Sequence, residues 1–224
     1  MISRKFTASP VKVTGLTPDH VPFESSLEQD CFFLLRFRAD VESFDRPTEA
    51  VPWLDETGQR HTYTPDVLIT FKAPENGGPV PSKLLSEIKP DFDDEDSPKA
   101  RLPNSETDEE RRMKWAAATN FAKLRGWEFS VFREAAIRTP FLRNVKFLIR
   151  NLERPDRDRG SDRLVKALQE RGPTPMNTLM LDLEPDRYQR ALLYPTLYAC
   201  IASGRIATDL KVLLKNDALL SVPA

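Results

Sequence analysis

Leu27, Cys31, Leu34 and Leu35 recur at helical spacing behind Ser25 and Glu28, which stand three residues apart as in a capping box. The pattern predicts a helix from residue 25 to about residue 39. Residues 41–44 follow as a short strand. Residues 51–54 and 61–71 then read as two hairpin arms around a Thr57-Gly58 turn. In the second arm Tyr63, Val67, Ile69 and Phe71 share one parity, with Thr64, Asp66 and Thr70 on the other. One face is therefore buried, and Asp66 points the other way. Residues 72–82, with Gly77-Gly78 and three prolines, form a loop, and residues 83–89 return as a strand.

Residues 91–110 carry nine acids against Lys99 and Arg101 and read as a solvated loop running into the next helix. That helix is predicted from about Thr107 to Arg125, with acids in its first turn and Gly126 just past its end. Met113, Ala117, Phe121 and Leu124 form its core stripe. Trp127, Phe129 and Val131 alternate as a strand, and Thr139-Pro140 has the N-cap and N1 chemistry of a helix reaching about Asn151. Residues 154–163 hold no apolar side chain and read as a linker between domains 1–153 and 164–224. Beyond it, a helix over residues 164–170 ends at Gly172-Pro173, a longer one over 186–203 is interrupted at Pro195, and residues 206–210 and 218–222 can pair as a ribbon. Helices followed by a ribbon within about sixty residues suggest a winged-helix module.

With 224 residues, 33 Lys and Arg against 34 Asp and Glu, and 40% apolar residues, the chain has room for one large domain or two modest ones, and two are expected. Neither the segment MISRKFTASPVKV, which lacks an apolar core, nor any other stretch approaches the ~18 apolar residues that span a bilayer, so a cytoplasmic location is expected. Two cysteines, Cys31 and Cys200, and two histidines, His20 and His61, exclude a disulfide framework and a multi-histidine zinc centre. Catalysis, if any, falls to carboxylates.

The candidate chemistry lies in Asp66, which follows Pro65 on a strand, and in Glu87 and Lys89, which share a face of a later strand. If these strands are neighbours, Asp66 and Glu87 offer hard oxygen ligands suited to Mg2+ or Mn2+, with the carbonyl of Ile88 as a further ligand. Lys89 beside them can orient a water and stabilise charge on phosphorus. Glu28 completes the set from the first helix, although the third residue of a capping box needs no other role. Glu-x-Lys on a strand is, taken alone, also what a solvated face looks like.

The order helix Glu, strand Pro-Asp, strand Glu-x-Lys, helix and strand resembles the PD-(D/E)xK nuclease superfamily. The segments FESSLEQDCFFLLRFRADVESF, YTPDVLITF, SEIKP and FREAAIRTPFLRNVKFL are similar to the TnsA-type endonuclease subunit of heteromeric transposases, from about Phe23 to Leu148 and more weakly beyond. The resemblance implies a restriction-endonuclease-like α/β core, a mixed sheet flanked by helices, and more weakly a C-terminal helical domain. With the ribbon read above, that domain is expected to be a small winged-helix-like one for docking partner or DNA. It implies Glu28, Asp66 and Glu87 as metal-binding acids, Lys89 as catalytic lysine, and two Mg2+ or Mn2+ ions. It implies hydrolysis of the 5′ ends of a transposon, beside a DDE-type transposase subunit and an AAA+ ATPase regulator, in a bacterial, nucleoid-associated setting. The chain departs from the pattern at Asp45-Arg46-Pro47, where many relatives have a glutamine before the proline. Near-neutral overall charge fits an enzyme that relies on partners to hold double-stranded DNA. Locally, residues 138–163 are basic, and Arg138, Arg143, Lys146 and Arg150 are the expected DNA contacts. Two rivals stand beside this reading: a stand-alone restriction or repair nuclease with the same core, and a catalytically silent DNA-binding or assembly module.

Overall fold

The structure is a computed structural model that describes residues 13–73, 81–91, 106–152 and 160–223. Most of the acidic 91–110 loop, the glycine pair at 77–78 and the linker up to residue 159 lie outside the described residues. Contacts divide the chain into two compact units, residues 1–135 and 136–224.

The first unit opens with a two-residue pair, β1 (Gly15–Leu16) and β2 (Pro22–Phe23), then α1 (Ser26–Phe37) and β3 (Val41–Asp45). A hairpin of β4 (Val51–Leu54) and β5 (Arg60–Tyr63) follows, then β6 (Val67–Phe71), β7 (Lys83–Lys89), α2 (Asp108–Lys123) and β8 (Glu128–Arg133). The main sheet has the order β3-β6-β7-β8, antiparallel except between β7 and β8, which run parallel. A mixed sheet with helices is the α/β architecture expected from the sequence.

Local chemistry explains the elements. The Ser25 side chain caps α1 by accepting from the Glu28 amide, and Thr107 and Glu110 form a reciprocal capping box on α2. Asp55 Oδ1 accepts from the Thr57 and Gln59 amides and folds the hairpin turn, in which Gly58 takes a φ of 80°. The expected long second arm is two strands. β5 stays with the hairpin, whereas β6 joins the main sheet, because Pro65 between them has no N–H to continue a ladder. The core on the α2 side joins Val51, Leu85, Ala118 and Ala122, with Tyr63, Phe121 and Trp127 around them.

After the short α3 (Glu134–Ile137), the second unit holds α4 (Pro140–Leu148), a 3-10 turn over Ile149–Asn151, α5 (Gly160–Arg171), β9 (Thr174–Pro175), α6 (Met176–Leu183), α7 (Arg187–Ala202) and β10 (Leu219–Leu220). α4 and its 3-10 turn pack against α7, with Phe147 edge-on to Tyr198 at 4.7 Å. The compact division therefore falls near residue 135, not at the linker. Residues 160–163, expected within that linker, are the first turn of α5. Leu164, Leu179, Met180, Leu197 and Leu220 are fully buried. α7 runs unbroken through Pro195, since the loss of one N–H is offset by the burial of Leu193 and Leu197 around it. β9, α6 and β10 form one small assembly: β10 pairs with β9, while Ser221 bridges Ala207 in place of the broader expected ribbon.

Candidate functional site

β7 is flanked by β6 and β8, and Leu85, Ser86, Glu87 and Ile88 are all buried. Its register with β6 pairs Ser86 with Val67, so one further step places Asp66 across from Glu87. The Ile88 amide donates to Asp66 Oδ2 at 2.6 Å, which fixes that carboxylate at the strand entrance. Glu87 and Lys89 lie on the Leu85 face, with Lys89 Nζ 3.1 Å from Glu87 Oε1. Glu87 is only 8% exposed, so this Glu-x-Lys is not a solvated strand face.

Such burial costs charge. The Glu87 carboxyl is pushed up to about 7, first by burial and then by the charge of Asp66, against the pull of Lys89. Asp66 is pushed up to about 6 by burial, with the Ile88 amide opposing and the charge of Glu28 adding to the rise. Burial lowers the Lys89 proton affinity, yet the charge and hydrogen bond of Glu87, then Glu106 and Asp66, carry it above its ordinary value. The outer oxygen of Glu87, Oε2, is buried without a hydrogen-bond partner among the described residues.

Glu28 is present at the edge of this group. Its Oε1 accepts from Ser25 Oγ and its Oε2 from the Glu24 amide, both at 2.9 Å, so the capping role is real. It nevertheless lies within the electrostatic reach of Asp66, and the Cys31 thiol one turn on is pushed up to about 12 by burial, then by Asp66, Asp30 and Glu28. Among the described residues no three histidine, cysteine or carboxylate side chains gather as a metal-holding cluster. The structure thus brings Asp66, Glu87 and Lys89 together and leaves Glu28 beside them.

Three neighbours were not singled out as site residues in the sequence. Glu106, ahead of α2, accepts from Lys114 Nζ at 2.7 Å and from Arg111 Nε at 3.4 Å, and its charge acts on both Glu87 and Lys89. The Tyr63 hydroxyl, also buried and unpartnered among the described residues, is raised by burial and then by Glu87, Asp66 and Glu106. Arg46 reaches Glu28. Glu106 sits in an acidic run where nothing distinguishes it, and Tyr63 reads as one more apolar strand position. The four basic candidates lie in the second unit. Arg143 and Arg150 are exposed and Lys146 half-buried on one side of α4 and its 3-10 turn, while Arg138 is exposed just before that helix.

A four-stranded mixed sheet, helices and a buried carboxylate pair with an adjacent lysine on its central strand fit the α/β nuclease-like class. Residues 39–134 match the family model described as TnsA-like endonuclease N terminal, so this stretch is a TnsA-like endonuclease N-terminal domain, consistent with the PD-(D/E)xK superfamily. The match includes Asp66, Glu87 and Lys89 and begins after Glu28. Among curated proteins, none matches the chain significantly. No helix of the described residues is long and apolar enough to cross a membrane.

Proposed function

We propose that the protein is the metal-dependent DNA endonuclease subunit of a heteromeric transposase, cutting the 5′ ends of a transposon during cut-and-paste movement. The observation that carries this reading is the buried Asp66–Glu87 pair with Lys89 at 3.1 Å, within a TnsA-like endonuclease domain. Two adjoining carboxyls with raised proton affinity, one with a buried oxygen that has no partner among the described residues, suit a Mg2+ or Mn2+ ion. Mg2+ is commonly held by one or two carboxylates together with water and substrate phosphate, so a three-carboxylate cage is not required. Asp66 and Glu87 would hold it, with the Ile88 carbonyl and Glu28 as the further ligands proposed. Bound there, the ion supplies Lewis-acid polarisation of the phosphodiester and a more acidic water.

The chain's own residues do the rest. The Ile88 amide aims Asp66, and Glu87 Oε1 tethers the Lys89 ammonium beside the site, where it can orient the attacking water and meet charge developing on phosphorus. Arg138, Arg143, Lys146 and Arg150 are proposed to bind the DNA backbone. The order α5, β9, α6, α7, the Ala207 bridge and β10 supports a winged-helix-like C-terminal module that docks DNA or partners. A DDE-type transposase and an AAA+ ATPase are the proposed partners, which suits a chain of nearly balanced charge.

The test is strand mapping of reactions reconstituted with the cognate transposase. Asp66→Asn is expected to leave 3′-end cutting by the transposase intact while the 5′ strands stay joined. Normal 5′ cleavage by this variant overturns the reading.

A further inference from the structure

Arg46 stands immediately after β3, its amide donating to Asp45 Oδ1 at 2.7 Å. Its guanidinium is shared among the surroundings of Glu28. Nη1 pairs with Glu24 Oε1 at 2.8 Å, Nη2 approaches Glu28 Oε2 at 3.5 Å, and Nε donates weakly to the Pro22 carbonyl at 3.4 Å. The same charge favours the ionised form of Asp66. One cation therefore serves both ends of the Glu28–Asp66 group. Its side chain is 35% exposed and that of Glu28 only 11%, so the pairing covers a carboxylate otherwise held by Ser25 Oγ and the Glu24 amide.

We propose that Arg46 is a resident counter-cation of the site, a positioning residue that holds Glu28 in its cap and opposes the entry of a divalent ion while it remains paired. The inference rests on the reading of Asp66 and Glu87 as the ion site. Its physical basis is simple. A guanidinium keeps its charge at every accessible pH, so it can be removed only by swinging away, and a partly exposed pair is weak enough for that to happen. While it stays, its positive charge adds to the work of bringing a second cation to the same acids. In the ion-free protein it lessens the mutual repulsion of Glu24, Glu28 and Asp66.

The test is Mn2+ titration calorimetry on the full chain without DNA, beside thermal melts in chelator, for the wild type, Arg46→Gln, Arg46→Lys and Asp66→Asn. Arg46→Gln is expected to bind Mn2+ about threefold to tenfold more tightly than wild type. It should also melt at a lower temperature without metal, a deficit that closes as Mn2+ saturates. Arg46→Lys, which keeps the charge, should stay within about twofold of wild type. Asp66→Asn should lose binding, showing that the titration reads this site. If Arg46→Gln binds Mn2+ no tighter than wild type while Asp66→Asn loses it, the counter-cation role fails alone. If Arg46→Lys tightens as much as Arg46→Gln, charge is not the cause and the proposal falls. If Asp66→Asn binds like wild type, the ion-site reading fails and this inference with it. Should Arg46→Gln not fold, Arg46→Met, which keeps most of the stem, makes the same comparison.

Discussion

Asp66 and Glu87 make the metal-free protein less stable as pH rises. Their folded proton affinities lie at about 6 and about 7, above the ordinary carboxylate range near ~4. Below that range both states are protonated and nothing is lost. Between about 4 and about 7 the unfolded chain releases protons that the folded chain retains, so the unfolded state binds fewer and stability falls with pH through this window. Asp66→Asn removes one charge while its side-chain oxygen can still accept from the Ile88 amide. It is expected to raise metal-free stability at pH 8 by about 1–2 kcal/mol and to flatten the decline. Thermal melts in chelator from pH 4.5 to 8 check this; a variant no more stable than wild type at pH 8 contradicts it. The chemistry at this scale was partly legible. Pro65-Asp66 and Glu87-x-Lys89 stand out as spaced residue types, and strand parity alone puts Glu87 beside Lys89. Burial was not legible: whether Glu87 faces water depends on α2 and the hairpin, which no local pattern specifies. Arg46 showed only as a departure from a family pattern, because its partners lie 18 and 22 residues earlier in the chain.

Elements set by local signals were readable from the chain. Capping at Ser25 and Thr107, the hairpin turn and the alternation of β7 each reflect chemistry within a few residues. The failures came where tertiary contacts overrode local cues: Pro195 inside α7, and α6, whose exposed Leu181 blurs the helical stripe. Asn144 on α4 is another such case, since a buried amide in a helix gives no sign of its partners. It donates to the carbonyls of Leu210 and Val212 at 2.8 and 2.7 Å and accepts from the Leu214 amide at 2.9 Å, tying the 210–214 segment to α4. Asn144→Ala strands three backbone groups at a position only 4% exposed. A loss of about 2–3 kcal/mol from the second unit is expected, read as a lower unfolding midpoint in denaturant. A loss under about 0.5 kcal/mol would mean that water replaces the amide without cost.

At the scale of the molecule, contacts divide the chain near residue 135, where α4 goes with the α7 it packs on, whereas the division expected from the sequence follows the apolar-free stretch at 154–163. A fragment ending at Ala135 is expected to remain soluble and to melt cooperatively. One ending at Arg150 keeps Leu142, Val145 and Leu148 without α7 to cover them and is expected to aggregate. Size-exclusion profiles of both decide it, and equal behaviour contradicts the boundary. The proposed metal-binding acids lie in the first unit, and the basic residues proposed to bind DNA lie in the second. The central claim is that the Asp66–Glu87–Lys89 group cuts DNA with a divalent ion. The most direct measurement is cleavage of a transposon-end DNA by the full chain with its transposase, with Mg2+ or chelator, for wild type and Glu87→Gln. Cutting is expected only by wild type with Mg2+, with a loss of at least about a thousandfold in the variant. Wild-type cutting in chelator, or undiminished cutting by Glu87→Gln, contradicts it.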